Sequence, residues 1–418
     1  MGALLWKENQ VSDTCPIKCR EGAISVLSTL RDAGFETYFA GGCVRDRLLC
    51  SAPIEYDIAT AARPDDIKKL FPKARSIGES FGVMLVRSHQ HMYDVATFRS
   101  DGPYSDNRHP DEITFSDAEH DALRRDFTIN GLFEDPIEDR IIDFVGGEND
   151  IQHRIVKAIG NPSDRIAEDH LRMLRAIRFA ARFDFSIEGE TGNAIRENSE
   201  ALGGVSRERI GEEVRKMMED QNRGVAAWEM QYLGLDRVLF AEDSCMNAPT
   251  RLGRLPANSS YSTALAAWIF DRHSSDADLH AIAAKWRTQL LLSNRTFEVL
   301  NEILALHQQI YSWSTLGTAK QKRTVASKNF LSALSIIQCE DRVLFVHIRR
   351  RITELEKTGI TPERLINGND LIDAGVPPSE ILGDVLEAVY DAQLEGAIGN
   401  QDDALSLGLA IYRDFHNS

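Results

Sequence analysis

Long apolar runs are missing from this 418-residue chain, so no membrane-spanning helix is expected. The opening MGALLWKENQ turns polar too soon for a secretory signal. Cysteine is scarce: Cys15, Cys19, Cys43, Cys50, Cys245 and Cys339 are scattered, and no second Cys/His pair at zinc spacing joins the first two. Buried or free thiols in a reducing cytoplasm are therefore expected, not a disulfide framework. Positive charge is short as well. The 48 Lys and Arg face 64 Asp and Glu, for a formal net charge of −16. That balance argues against a protein that coats nucleic acid nonspecifically, though not against a local basic track. No repeat at a fixed period is found, and the length allows two to four domains, each with its own core.

The chemistry that is present gathers at Tyr38–Thr60, YFAGGCVRDRLLCSAPIEYDIAT. It predicts a short strand, a Gly41-Gly42 turn, a helix start and a second strand carrying Glu55 and Asp57. Residues two apart on a strand share a face, so the two carboxylates lie together near the turn. Amides of a glycine turn that opens a helix can cradle phosphate. Mg²⁺ usually binds through one or two carboxylates plus substrate phosphates. Each half alone is weak, since Gly-Gly is most often a turn and an acidic pair most often a solvated face. Together they suggest a site for an Mg²⁺-nucleoside triphosphate. Asp94, interrupting an apolar strand, could add a third carboxylate.

The other expectations follow in order. A helix over about 17–33 ends at Gly34, and Arg63-Pro64 starts another. Gly82–Val86 and Met92–Phe98 are strands, and Arg99–Phe115 is a polar loop of functional length. LRRDFTINGL over 123–132 interleaves charge with Phe127 and Ile129, and a strand at Ile141–Val145 closes the α/β portion. Strand signals then stop at Ile151. Ala167–Phe183 is one amphipathic helix whose Arg172, Arg175, Arg178 and Arg182 share a side. Ile195–Leu202 and Arg207–Met218, the latter capped by Ser206, are helical. So are 263–270, 280–286, 297–311, 330–337, 343–355 and 381–394. Ala248–Ser260 is a linker or loop. Basic tracks at Lys320–Arg323 and Arg349–Arg351 are ordinary surface unless the front half modifies RNA.

The pieces GGCVRD, an acidic pair ending in IAT, FGV, DVATFR, YSDNRHP, RRDFTINGL, EDHLRMLRAIRFAARFDF and SRERIGEE stand in that order, followed by INGNDLIDAGVPPSEILGDVLEAVYDAQLEG near the end. The whole chain resembles the class II nucleotidyltransferases, the family of bacterial CCA-adding enzymes (tRNA nucleotidyltransferases) and related poly(A) polymerases. The resemblance implies an α+β fold. A mixed-sheet catalytic head over 1–150 would be followed by a helical neck over 151–225 that recognises the base. A helical body and tail over 226–418 would bind tRNA. By the same resemblance Gly41, Gly42, Arg45 and Asp46 serve the triphosphate and metal. Glu55 and Asp57, with Asp94, form the catalytic metal site. Arg125, Asp126 and Asn130 hold ribose and phosphates, and Asp169, Arg172 and Arg175 belong to nucleotide recognition. The implied partners are tRNA, ATP and CTP, the cofactor Mg²⁺ and the compartment the cytoplasm.

An Asp/Arg pair has a physical logic of its own. A carboxylate accepts from the exocyclic amine that cytosine and adenine carry, and a guanidinium donates to ring nitrogen or carbonyl. Uracil and guanine present acceptors at the corresponding position and would be rejected. One position departs from the family pattern, where Asp-x-Asp follows a basic residue: here Ile54 precedes Glu55. The added methylene moves that carboxylate by roughly an ångström, and Mg²⁺ demands near-ideal octahedral geometry. The rival expectations are a poly(A) polymerase and a relative that binds without catalysis. A phosphohydrolase built on His120-Asp121 lacks the further ligands it needs.

Overall fold

The computed structural model describes residues 16–76, 82–102, 112–274 and 276–417. They form two compact units, one running to Met217 and including Glu229–Ser244, the other comprising Met218–Trp228 and everything from Cys245.

The first unit opens with α1 (Pro16–Asp32), whose Val26, Leu27 and Leu30 are buried at helical spacing. Gly34, at φ +90°, ends it as the sequence predicts. A mixed sheet follows, built from β1 (Thr37–Ala40), β2 (Asp57–Thr60), β3 (Arg75–Ser76), β4 (Val83–Ser88) and β5 (His91–Thr97). A separate hairpin pairs β6 (Arg99–Asp101) with β7 (Ile113–Phe115); residues 103–111 of the polar loop lie outside the described residues. The strands β8 (Leu132–Asp135) and β9 (Arg140–Asp143) complete the sheet, ordered β3-β4-β5-β2-β1-β8-β9. Only β2 and β5 run parallel, the other neighbours being antiparallel.

Register decides what each face carries. Ala40 stands opposite Asp57, Tyr38 opposite Ala59, and Ala59 beside Ala96. With a period of two, one face holds Ala40, Asp57, Ala59, Asp94 and Ala96. The other holds Phe39, Ile58, Tyr93 and Val95, all buried. The alanines leave room above the first face near the two aspartates. Farther along it, Phe98 and Phe133 pack with Ala118 and Ala122. Those two alanines belong to α4 (Ala118–Leu123), which follows α2 (Gly42–Leu48) and α3 (Pro64–Leu70) in the chain.

After β9 the unit is mainly helical: α5 (Gly147–Gln152), α6 (Pro162–Glu168), α7 (Arg172–Phe183), α8 (Gly189–Glu197) and α9 (Arg207–Met218). Two expectations need correction. Strands do not stop at Ile151, because β10 (Ile155–Val156) pairs in parallel with β11 (Ser186–Ile187), segments too short to show a period. The expected helix over 167–183 is broken. Asp169 is extended (φ −153°, ψ 103°) and its Oδ1 accepts from the Leu171 N–H at 3.1 Å, so the chain restarts as α7. A side chain that bonds nearby backbone competes with helix in this way.

The second unit is helical throughout its regular structure. Its helices Tyr261–Arg272, Leu279–Leu290, Asn294–Tyr311, Phe330–Glu340, Arg342–Glu356 and Ile381–Glu395 contain the six expected segments. Trp268 and Trp286 meet edge to face in its core, 5.4 Å between centroids. The expected linker or loop at 248–260 is mostly loop but is packed against the unit. It contains the helix Thr250–Arg254 with Leu252 buried, and the wholly buried Arg223 donates to the carbonyls of Pro256 at 3.0 Å and Ala257 at 2.7 Å. Proline and asparagine made the segment look loose; Arg223 satisfies its backbone from outside it.

A charged knot sits within this unit. Glu340 accepts from both His307 Nε2 and Arg251 Nε, and the His307 ring stacks on Phe270 at 3.9 Å. Burial alone would raise the Glu340 carboxyl, but the His307 and Arg251 bonds hold it down at about 2. The folded value lies below the unfolded one, so this contribution is present above about pH 4.5 and is lost as pH falls towards 2. Glu340→Gln is expected to cost about 2 kcal/mol at pH 7 by stranding the Arg251 cation, less than for a fully buried pair because Arg251 is 32% exposed. The difference from wild type should shrink at low pH, as read by urea denaturation across pH.

Candidate active site

The turn after β1 is set by one glycine. Gly41 has φ +69°, and a Cβ there would lie 2.9 Å from Arg125 Nη1, so only glycine lets that guanidinium close on the turn. Gly42 then begins α2. Glu55 precedes β2, contrary to the expectation that both acids lie on the strand. The alternation of exposure nevertheless continues through it: Glu55 exposed, Tyr56 buried, Asp57 exposed, Ile58 buried. The extended backbone therefore turns Glu55 and Asp57 to the same side without ladder pairing at Glu55. Asp94 stands beside Asp57 because Ile58 is registered with Val95.

All three acids line a cavity of about 820 Å³. The cavity also takes Gly41, Gly42, Arg45, Arg125, Asp126, Asn130, Asp169, Arg172 and Arg175. Asp46 lies outside the lining and holds Arg45, accepting from its Nε at 3.0 Å and Nη2 at 2.7 Å. In a chain of net −16, nine arginines here outnumber six carboxylates. The surplus gathers on α7, where Arg172, Arg175, Arg178 and Arg182 all face the cavity as their spacing predicts. Such a lining is suited to a polyphosphate beside a cation.

The carboxylates crowd one another. Burial among cavity atoms pushes the Asp57 carboxyl up to about 6, the nearby Asp94 charge adds to this, Arg125 opposes it and Glu55 raises it further. Water still reaches Asp57. A divalent cation would relieve that repulsion, so the donor set fits a hard metal ion. Among the described residues no three His, Cys, Asp or Glu side chains are gathered closely enough to hold one unaided.

A largely buried polar relay forms one wall of the cavity. Asp126 accepts from Arg175 Nε at 2.8 Å and Nη2 at 2.6 Å, from the Phe127 N–H at 2.8 Å and from Asn130 Nδ2 at 3.0 Å. Asn130 Oδ1 accepts from Arg45 Nη1, and Arg45 lies over the rings of Phe179 and Phe183. Burial would raise the Asp126 carboxyl; Arg175 and the other donors hold it at about 2. Arg125 is itself aimed by Asp121, which takes its Nη2 at 2.9 Å. Asp121 also takes Arg124 Nη2 at 2.7 Å, while His120 turns to Asp117 at 2.7 Å, so the His120-Asp121 dipeptide is consumed locally.

Asp169 and Arg172 both face the cavity but do not pair with each other. Asp169 Oδ2 accepts from Arg209 Nη2 at 2.6 Å, and Arg172 Nη1 donates to the Arg165 carbonyl at 2.8 Å and to Glu168. Each is braced from behind and keeps hydrogen-bonding capacity for a ligand. The bracing residues Arg209 and Glu213, which takes Arg178 Nε at 2.5 Å, escaped the sequence reading. Both lie in SRERIGEE on α9, and their spacing of four on one helix was the available signal.

This head and cavity define a nucleotidyltransferase. Residues 37–157 match the family described as poly A polymerase head domain, and 184–242 the one described as probable RNA and SrmB-binding site of polymerase A. The chain is 31% identical over 401 residues to the CCA-adding enzyme of Ligilactobacillus salivarius, covering 92% of this chain and 94% of that one. With the CCA-adding enzyme of Pediococcus pentosaceus it shares 44% over 209 residues, about half of each chain. The crystal structure of Bacillus stearothermophilus CCA-adding enzyme in complex with CTP superposes with TM-score 0.75 at 25% identity, covering 95% of this chain and 99% of that one. The Thermotoga maritima CCA-adding enzyme complexed with tRNA shares the fold, with TM-score 0.70 at 20% identity over 93% and 94%. The chain belongs to the CCA-adding enzyme family.

The relay supplies a test. Asp126→Asn keeps the shape but removes the charge opposite Arg175. It is expected to lower stability by about 2 kcal/mol, less than for a fully buried pair because Arg175 is 33% exposed. Thermal or urea unfolding of the purified protein measures it.

Proposed function

We propose that this protein adds CCA to the 3′ end of tRNA from CTP and ATP by metal-assisted nucleotidyl transfer. The observation that carries it is one cavity holding both the acid cluster Glu55, Asp57 and Asp94 and the braced pair Asp169 and Arg172, in a chain that matches CCA-adding enzymes over 92% of its length. Those full-length relatives favour tRNA over the poly(A) polymerase alternative. In this reading the backbone at Gly41-Gly42 and the side chain of Arg125 receive the triphosphate. Arg45 and Asp46 fix the turn, while Asp126 and Asn130 fix the ribose and phosphate side. Asp169 accepts from the exocyclic amine of C or A, and Arg172 donates to the ring, with Arg175 nearby. Glu55 and Asp57, helped by Asp94, hold Mg²⁺. When bound, the metal supplies activation of the 3′-hydroxyl and charge stabilisation at the α-phosphate and leaving pyrophosphate.

The division of labour follows: a catalytic head over 1–150, a base-recognising neck over 151–225, and a tRNA-binding body and tail over 226–418. A cytoplasmic enzyme fits this work. Among the described residues no helix is long and apolar enough to cross a membrane.

Purified protein, Mg²⁺ and labelled CTP or ATP, with tRNAs ending at the discriminator base, at C and at CC, should give stepwise extension on all three. Extension of the CC-ended tRNA alone would mark A-only addition, and no extension of any would refute the proposal. Glu55 sits before the ladder begins, where the backbone is free to absorb a methylene. Glu55→Asp is therefore expected to lower kcat by between about 10- and 10²-fold. A rise would show instead that Glu55 handicaps this enzyme.

Arg209→Ala should loosen Asp169. The expected result is a higher ratio of UTP or GTP misincorporation to correct addition, with extension by CTP reduced less, measured in single-nucleotide assays.

A further inference from the structure

The two basic tracks of the second unit end differently. In the helix Thr318–Ala326, Lys322 is buried and Arg323 is committed to Glu387 at 2.7 Å and Asp391 at 2.6 Å. In Arg342–Glu356, Arg351 turns to Gln321 at 2.9 Å and Thr318 at 3.1 Å, and Ile348, Ile352 and Leu355 are buried. The rest of that second helix is open. Arg342, Val343, Val346, His347, Arg349 and Arg350 are exposed, and at 3.6 residues per turn they occupy one continuous arc of about 160°.

Two features set this arc apart from an ordinary solvated face. Among the described residues the Arg342 and Arg349 side chains make no ion pair or hydrogen bond, and Arg350 meets Glu354 only at 3.9 Å. Between these cations stand valines that a solvated helix has no use for: Val343 is 82% exposed and Val346 57%. Arg342 lies roughly 11 Å along the axis from Arg349 and Arg350, so they cannot serve one phosphate. They mark a track. Guanidinium groups pair with phosphate oxygens in a planar fork, and a single pair of valines one turn apart between them suits the C–H surface of ribose better than a protein interface, whose apolar core is more extensive.

We propose that the outer face of the Arg342–Glu356 helix docks the phosphodiester backbone of the RNA substrate, with Arg342, Arg349 and Arg350 on phosphates and Val343 and Val346 against sugar. This rests on the tRNA function proposed above and names a surface for it. The face is positive where the chain as a whole carries a net −16, so it offers a polyanion a second basic surface besides the arginine-lined cavity.

The test uses the full chain and a tRNA lacking its CCA end, with binding followed by fluorescence anisotropy from 50 to about 300 mM NaCl. Arg342→Ala/Arg349→Ala/Arg350→Ala is expected to weaken binding about tenfold or more at low salt. Its log K against log[salt] slope should flatten by about 2 to 3, near 0.9 for each phosphate no longer neutralised. KM for tRNA should rise with kcat little changed, and CTP affinity should be unaltered. The triple Lys variant should restore most of the slope. Val343→Ser/Val346→Ser should weaken binding without changing the salt slope. If wild type binds and extends tRNA but the triple Ala variant, folded by circular dichroism, keeps both affinity and slope, this proposal is overturned while the function stands. If light scattering instead shows a wild-type dimer that these variants dissolve at unchanged tRNA affinity, the face joins two copies and the proposal is likewise overturned. A wild type that neither binds nor extends tRNA refutes the function, and this proposal with it.

Discussion

The buried carboxylate of Asp126 is the contact on which the site depends. It takes two donors from Arg175 on α7 and one from Asn130, and Asn130 takes Arg45 from α2. One charge thus ties the glycine turn of the sheet to the helix that carries the arginines. Acid cluster (Glu55, Asp57, Asp94) and arginine row (Arg172 to Arg182) come from segments far apart in the chain, and neither can drift without breaking bonds that water cannot replace.

The same logic is repeated at the edges of the cavity. Functional side chains are held by neighbours: Arg125 by Asp121 and Arg178 by Glu213, which lie outside the lining, and Asp169 by Arg209, which shares the cavity wall. Rigid donors in fixed places are what discrimination between bases needs, because an acceptor of the wrong base then meets an acceptor it cannot displace. Opposing this order is the crowding of Asp57, whose carboxyl is pushed up to about 6 by burial and further by the Asp94 and Glu55 charges. Stability given up in this way is common at working sites.

Local chemistry was largely legible. Gly41-Gly42, the Asp57–Asp94 face and the arginine row on α7 follow from periods of 2 and 3.6, and the order of motifs pointed to the family. The failures share a cause. The unbroken helix over 167–183 was wrong because the Asp169 side chain captures a backbone N–H, an option that hydrophobic spacing does not register. The segment 248–260 is mostly loop, as read, but its short helix and its packing were missed because Arg223, tens of residues earlier, satisfies its carbonyls. Arg209 and Glu213 were passed over because a bracing residue has no chemistry visible in its own neighbourhood.

By itself the sequence determined the inventory: which residues are acids, which arginines share a helix side, where glycine must allow a positive φ, and which family the motifs join. Those properties depend on the nearest few residues. Tertiary structure alone decided which groups are engaged and which remain free. The sequence named Asp169 and Arg172 together, but only packing shows that each is held by a different partner, Arg209 for one and Glu168 with the Arg165 carbonyl for the other. Of two similar basic tracks, packing consumed one and left the outer arc of the other in water. The partners that make this difference lie tens of residues away along the chain, where sequence spacing carries no information about distance.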